Sequence, residues 1–371
     1  QRLGTWSFRA RARRLPRQAT CGPLRHVPQM QERVSARALP GICAYNQSFA
    51  LRRSRVRNRL QPSLFLLTIF VSMWFKNLRI YRLSPDWTCS AQELENALAK
   101  HRFTPGSSQE PLSLGWVSPR DNDALVHAIE GQYLIALRAE KKLLPTTVIN
   151  QVAREKARDI EEQQGYKPGR KQMKEIKEQV ITELMPRAFA VSRDTRVWLD
   201  TRNHWLAIDA AATAKSDEVL GLLAKSVEPF PALPLYTELS PASVMTSWLI
   251  DNDPPANFTI DQDTELRSTG DSGAAVRYVK QSVDIDEVRK HVQAGKQCTR
   301  LSLTWAERIS FVLTDALDIK RVSPLDILTE KQDVTAVNDD EIFDADMTLM
   351  TSELANLIAD LVGVLGGERK S

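Results

Sequence analysis

Arg196-Val-Trp-Leu-Asp-Thr-Arg-Asn-His-Trp-Leu-Ala-Ile-Asp209 decides the fold class of this chain. Two short apolar runs, 196–200 and 204–209, flank the polar triplet Thr201-Arg202-Asn203, and that pattern reads as an antiparallel hairpin. Hairpin pairing, with no strand–helix–strand series around it, predicts an α+β fold of antiparallel sheets with packed helices. Upstream, residues 76–83 read as a strand. Ser90 with Glu93 forms a capping box ahead of Leu94, Ala97 and Leu98, which have helical spacing. Residues 133–137, between Gly131 and Arg138, read as a buried strand. Downstream, residues 216–225 predict a helix with Val219, Leu220, Leu222 and Leu223 inward. Pro229, Pro231 and Pro234 then mark a boundary. A short helix at 244–250, a polar stretch, a strand at 275–279 and a helix at 285–293 stopped by Gly295 follow. Residues 301–305 and 309–313 alternate as a strand pair. A last helix at 351–365 carries Leu354, Leu357, Ile358 and Leu361.

Between Pro145 and Pro186 lie two helical stretches separated by Gly165-Tyr-Lys-Pro-Gly169. The first keeps Val148, Val152 and Ile160 on one face; the second keeps Met173, Ile176, Val180 and Leu184. Each seam has about one apolar residue per turn, enough for two helices to hold each other and little more. The expectation is a projecting two-helix arm. Its tip region supplies Lys167, Arg170, Lys171, Lys174 and Lys177 against one acid, Glu175. A charge run on a helix is commonly a solvated face; a place on an arm free to reach a ligand makes Lys167, Arg170, Lys171 and Lys174 candidate binding residues.

The net charge of +4 averages two unlike parts. Residues 1–72 hold fourteen of the 50 basic residues, all Arg, and one of the 46 acids, Glu32, so they carry +13. The remaining residues hold 36 basic and 45 acidic side chains, a net of −9. Any nucleic-acid site in this acidic body must therefore be a local basic surface. The Arg-dense segment shows no period that buries a face, and its apolar run 64–71 falls short of the roughly 20 residues that span a bilayer. A secretory signal would end at small residues, whereas the run leads into Trp74-Phe75; a transit peptide would show amphipathic order. The abrupt change of composition fits translated upstream sequence, with a start at Met73. Four cysteines, Cys21, Cys43, Cys89 and Cys298, form no CxxC pair, which suits a reducing compartment and free thiols.

The chain has no phosphate-binding loop, HExxH or GxSxG motif, and no residue set that calls for a cofactor or metal. The tightest acidic group is Asp339, Asp340, Glu341, Asp344 and Asp346. Paired carboxylates can hold Mg²⁺ for phosphodiester cleavage, so a metal-dependent nuclease using Asp344 and Asp346 is the enzyme alternative. The interleaved Phe343, Met347 and Leu349 equally describe a helix cap leading into a buried segment. An oligomeric protein scaffold is the other alternative. Trp74, Trp116, Trp198, Trp205, Trp248 and Trp305 sit in apolar neighbourhoods and are expected in the core rather than on a base-stacking platform.

Several short motifs occur in one order along the body: Met73-Trp-Phe-Lys-Asn-Leu, Phe103-Thr-Pro105 with Gln109, Gly115-Trp-Val117, Leu144-Pro145, Met185-Pro-Arg-Ala-Phe189, Trp198-Leu-Asp-Thr201, Ala294-Gly-Lys296, Leu303-Thr-Trp305 with Arg308-Ile309, and Phe343-Asp-Ala-Asp346 with Met350-Thr351 and Glu353-Leu354. In these the chain resembles the RdgC family from Met73 almost to Ser371, with residues 1–72 unmatched. The resemblance implies a horseshoe-shaped subunit that closes into a ring homodimer around double-stranded DNA, binds with little sequence preference and restrains RecA-dependent recombination. It implies a non-enzymatic, cytoplasmic, nucleoid-associated protein whose partners are double-stranded DNA, a second copy of itself and, indirectly through DNA, RecA filaments; it leaves open whether RecA is contacted directly. It places Phe189 on the family's gate phenylalanine, at the smaller dimer contact, and Lys280 and Gln281 on a position tied to DNA binding. The plainer reading of Phe189 is a core residue ending the helix. The expected divisions are a 1–72 extension, a central region of 73–145, 189–235 and 341–371, the arm at 146–188, and a dimerising, DNA-facing base at 236–340.

Overall fold

A computed structural model describes residues 73–369, except 121, 271–272, 282 and 330–337. The extension 1–72 lies outside the described residues. The strands are β1 (Asn77–Leu83), β2 (Leu112–Val117), β3 (His127–Ile129), β4 (Gln132–Leu143), β5 (Phe189–Asp200), β6 (Trp205–Ile208), β7 (Ala232–Pro234), β8 (Phe258–Ser268), β9 (Ala275–Tyr278), β10 (Lys296–Trp305), β11 (Ile309–Thr314) and β12 (Ile319–Pro324). The helices are α1 (Ala91–Ala99), α2 (Thr146–Gln164), α3 (Arg170–Leu184), α4 (Thr213–Ser226), α5 (Pro241–Asp251), α6 (Ile285–Gln293), the single turn α7 (Asp326–Thr329) and α8 (Asp339–Val364). The fold is α+β, and every named strand pairing is antiparallel.

One path of strands runs β2-β4-β5-β6-β1-β12-β11-β10-β8-β9. β1 joins its two halves: Arg79–Arg82 pair with β6, while Asn77 and Leu78 pair with Lys320 and Ile319 of β12. The hairpin that opened the sequence reading is β5–β6, with Val197 opposite Ile208 and Asp200 opposite Trp205. Asp200 closes its turn, accepting from the backbone N–H groups of Arg202 and Asn203 at 2.9 Å each.

Both faces of the β2–β1 half are covered along residues 134–137, 197–199 and 205–208, which is why these stretches read as continuous apolar runs. Ile135, Val197, Leu199, Leu206 and Ile208 pack with Leu94 and Leu98 of α1 and Val219 and Leu223 of α4. The alternate residues Ile80, Leu134, Trp198 and Ala207 face the other way, into a cluster with Met347, Met350, Leu354, Leu357 and Ile358 of α8. That second cluster continues under the other half-sheet through Cys298, Leu301, Leu303, Phe311 and Leu313, with α5 and α6 packed beside it. It thus unites residues of the expected central and base regions. All six tryptophans expected in the core are buried.

The structure differs from the sequence reading in identifiable places. β8 occupies the stretch read as polar, because register shifts against β10 break its alternation and Thr264 takes a buried position. The last helix begins twelve residues earlier than expected, at Asp339. Asn338 caps it by accepting from the Glu341 N–H at 2.9 Å, and the acids of its first turn oppose the helix dipole. In the arm, α2 meets α3 through Ala153 and Ala157, flanked by Ile149, Val152 and Ile160, whereas Val148 is exposed. Small side chains every four residues let the backbones approach closely, a seam invisible to a count of large apolar residues. Gly115 explains one recurring motif: a Cβ there would lie 2.3 Å from the Phe103 Cα, so strand β2 and the 103–105 segment can meet only at glycine. Cys89 and Cys298 are free thiols, and burial pushes that of Cys298 up to about 12, far from reactivity.

Candidate nucleic-acid interface

Whereas α5, α6 and α8 cover one face of the β12–β9 half, its other face carries charged and hydroxyl side chains. Arg267 on β8, Arg277 on β9, Arg300, Ser302 and Thr304 on β10, Ser310 and Val312 on β11, and Lys320 on β12 follow from strand alternation and register.

At the centre lies Glu265. It is directly opposite Arg300 on one side and Arg277 on the other, and Arg267 is its neighbour two residues along the strand. These are the three positions from which a sheet brings side chains together. The Arg277 Nε donates to Glu265 Oε2 at 2.6 Å, an Arg267 terminal nitrogen donates to Oε1 at 2.9 Å, and an Arg300 terminal nitrogen stands 3.8 Å away. The three guanidiniums are about half exposed, while Glu265 beneath them is buried. Burial alone pushes its carboxyl up; the hydrogen bonds from Arg267 and Arg277 and the charge of Arg300 outweigh it, and the net shift is downward. Glu265 therefore stays ionised.

A second anchor is Asp263, which accepts the Lys280 backbone N–H at 2.9 Å and pairs with Arg321 at 3.3 Å. Both partners have left-handed backbones, φ 52° at Lys280 and 55° at Arg321, which side chains other than glycine adopt at a cost of about 1–2 kcal/mol. Arg321 sits where the β11–β12 register shifts, and such a bulge re-aims a side chain. Consecutive residues Lys320 and Arg321 consequently both line one hollow of about 180 Å³, together with Arg277, Arg300 and Val312. Five cations on this face oppose four carboxylates: Glu265, Asp263, Asp261, which accepts from the Thr304 hydroxyl at 3.0 Å, and Asp318, which lies 3.4 Å from Lys320.

The geometry of the described residues does not support the nuclease alternative. Asp344 and Asp346 are two residues apart on α8, hence about 200° apart around it. Asp346 is buried, whereas Asp344 pairs with His127 at 3.0 Å and Arg120 at 3.5 Å, and Arg120 also pairs with Asp340. Among the described residues no group of three or more His, Cys, Asp or Glu converges as a metal site. The acidic run begins a helix and ties it to the 120–127 segment.

The family model described as "Putative exonuclease, RdgC" matches residues 73–368. Proteins named recombination-associated protein RdgC are similar over nearly the same span. That of Bordetella parapertussis is 63% identical over 298 residues, 80% of this chain and 100% of the relative. That of Cupriavidus necator is 58% identical over 299 residues, 81% and 100%. That of Burkholderia cenocepacia is 55% identical over 298 residues, 80% and 97%. The chain belongs to the RdgC family.

Of the residues singled out by resemblance to RdgC proteins, Lys280 and Gln281 follow β9, are exposed, and lie beside the basic face through Asp263 and Gln262, whose carbonyl accepts the Gln281 N–H at 3.4 Å. Phe189 is not a core residue ending a helix. It opens β5 and is 84% exposed, opposite the half-exposed Leu143 of β4. Lys167, Arg170, Lys171 and Lys174 are exposed on the arm's turn and on α3, where Lys174 pairs with Glu178. Among the described residues no hydrogen bond or ion pair joins them to the basic sheet face. The face itself was missed because its arginines, Arg267, Arg277, Arg300 and Arg321, stand on four strands, up to 54 residues apart in sequence, and cluster only once the strands pair. The signal was present as alternation in Glu265-Leu-Arg267 and Val276-Arg277-Tyr278.

Proposed function

We propose that this RdgC-family chain binds double-stranded DNA without sequence preference through the open face of the β12–β9 half-sheet. The observation that carries this reading is a surplus of cations, five against four carboxylates, on one sheet face that no described helix covers, in an otherwise acidic body. Phosphate-directed Lys and Arg supply affinity without base information. None of the face's side chains stands on a helix of the kind that enters a major groove. The protein acts as a homodimer closed into a ring, with the large contact formed by the base and the smaller one by Phe189. The exposed Phe189–Leu143 pair supports that assignment, because an uncovered aromatic beside an uncovered leucine is a surface that gains by burial. Occupying duplex DNA restrains RecA-dependent exchange by denying the filament its partner strand, with no contact to RecA required. The arm cations Lys167, Arg170, Lys171 and Lys174 add electrostatic attraction. The site of action is the nucleoid in the cytoplasm, and the role is binding rather than catalysis; the relatives' names point to recombination.

The test is titration of the full chain against duplexes of unrelated sequence over a salt series. Equal affinities that fall linearly in log–log form, by about 0.9 per phosphate contacted, support the reading. Salt-independent binding, a strong preference for one sequence, or cleavage of the duplex in Mg²⁺ overturns it.

A further inference from the structure

Glu265 is a costly residue to place on a surface that attracts anions. It is buried, it is ionised, and its charge subtracts from the field of the face that carries it. If the face needed only positive potential, a neutral side chain here would serve better. The geometry shows what the carboxylate adds. Arg277 and Arg267 each bond it directly, and Arg300 is drawn within 3.8 Å, so long side chains with many rotamers are fixed over one point. Arg277 uses its Nε for this bond, and among the described residues its terminal nitrogens make no other hydrogen bond. Asp263 likewise holds Arg321, through one of its terminal nitrogens at 3.3 Å.

We infer that Glu265 is the positioning residue of a seat for one backbone phosphate, the hollow walled by Arg277, Arg300, Lys320 and Arg321. This rests on the duplex-binding reading and specifies where one phosphate docks. The hollow, about 180 Å³ and open to solvent, has room for one phosphate group with a few waters. Planar guanidiniums held in place by a carboxylate lose less freedom when they meet a phosphate than free ones do, and that difference is the contribution of Glu265.

Positioning and neutralisation predict opposite signs, which makes the inference testable. The full chain, Glu265→Gln, Arg300→Ala, Lys320→Ala and the double variant Arg300→Ala/Lys320→Ala would be titrated with a short duplex over a salt series, beside a melting curve for each. Glu265→Gln keeps the shape and every cation and raises the net charge by one. Positioning predicts weaker binding by about three- to tenfold all the same. Tighter binding with a steeper salt slope would mean that Glu265 merely dilutes the field, and would overturn the inference.

If Glu265→Gln does not fold, the arginine–lysine pair still decides. One shared phosphate predicts that the double variant loses about 0.9 of slope in total; a loss near 1.8 means two separate phosphates and no common seat. Duplexes with 5′-hydroxyl and 5′-phosphate ends separate backbone from terminal phosphate. Equal affinities support the seat as described, and dependence on the terminal phosphate overturns it. Wild-type protein that binds no duplex overturns the parent reading as well, whereas wild-type binding with a tighter Glu265→Gln overturns only this one.

Discussion

The two halves of the sheet are built from the same antiparallel strands and share a core, yet one is covered on both faces and the other on one. In the β2–β1 half, the side chains of 134–137, 197–199 and 205–208 alternate between a cluster with α1 and α4 and a cluster with α8, and the polar residues stand on the outer ends of β4 and β5. In the β12–β9 half the inward residues meet the same cluster, while the outward ones are arginines, serines and threonines held by buried or half-buried acids. Cover, rather than strand type, separates the scaffold from the proposed binding surface. A sheet face left without a helix is where charge can be arranged two-dimensionally, across strands as well as along them.

The sharpest way to break this contrast is to attack what the halves share. Leu357 is fully buried on α8, in the cluster beneath both. Leu357→Ala is expected to cost about 2–5 kcal/mol and to expose both halves together. Hydrogen exchange should show β6 and β10 amides losing protection in parallel; loss confined to one half would mean that the halves are independent folding units. Next in size is Gly115→Ala, whose added methyl meets the Phe103 backbone and is expected to cost about 1–3 kcal/mol. This damage lies in the covered half, so duplex affinity should be unchanged wherever the protein remains folded. A parallel fall in affinity would show that the covered half also touches DNA.

On the open face the expectation reverses. Ser302→Glu, at a half-exposed outward position of β10, should alter stability by less than about 0.5 kcal/mol while weakening duplex binding several-fold at low salt. Unchanged affinity would remove this face from the interface. The smallest effect on folding belongs to Phe189→Ala, since a side chain this exposed contributes little to its own chain's stability, within about 0.5 kcal/mol. Its expected effect is on assembly: a dimer by mass, less well retained than the wild type on nicked circular DNA, with affinity for short linear duplex intact. A monomer would assign Phe189 to the larger contact.

The covered half was the more legible in sequence, for the same reason that it is the quieter one. Val197-Trp198-Leu199 and Trp205-Leu206-Ala207-Ile208 announce themselves because both faces demand apolar residues, and the Ser90–Glu93 capping box forms as its spacing requires, each partner bonding the other's backbone. The open half hid itself. β8 has a polar outward face, a threonine in an inward position and two breaks in register, so neither a continuous nor an alternating apolar signal survives over its eleven residues. The Glu265 cluster was illegible for a different reason: Arg267 is near it in sequence, but Arg277 and Arg300 become neighbours only after β9 and β10 have paired on either side. The acidic start of α8 was read in two ways, and the helix chose between them by pointing Asp344 and Asp346 apart.

β1 has one more consequence, and it concerns time rather than space. It is the first strand of the sheet to leave the ribosome and must find partners on both edges, yet Ile80 waits for Ala207 and Leu78 for Ile319, 241 residues further on. At about 5–20 residues per second, the second edge stays open for roughly 10–50 s of synthesis. Throughout that interval Leu78 and its neighbours present an unpaired strand beside an unfinished core. The growing chain is therefore most vulnerable to strand exchange with a neighbouring nascent copy just before β12 emerges.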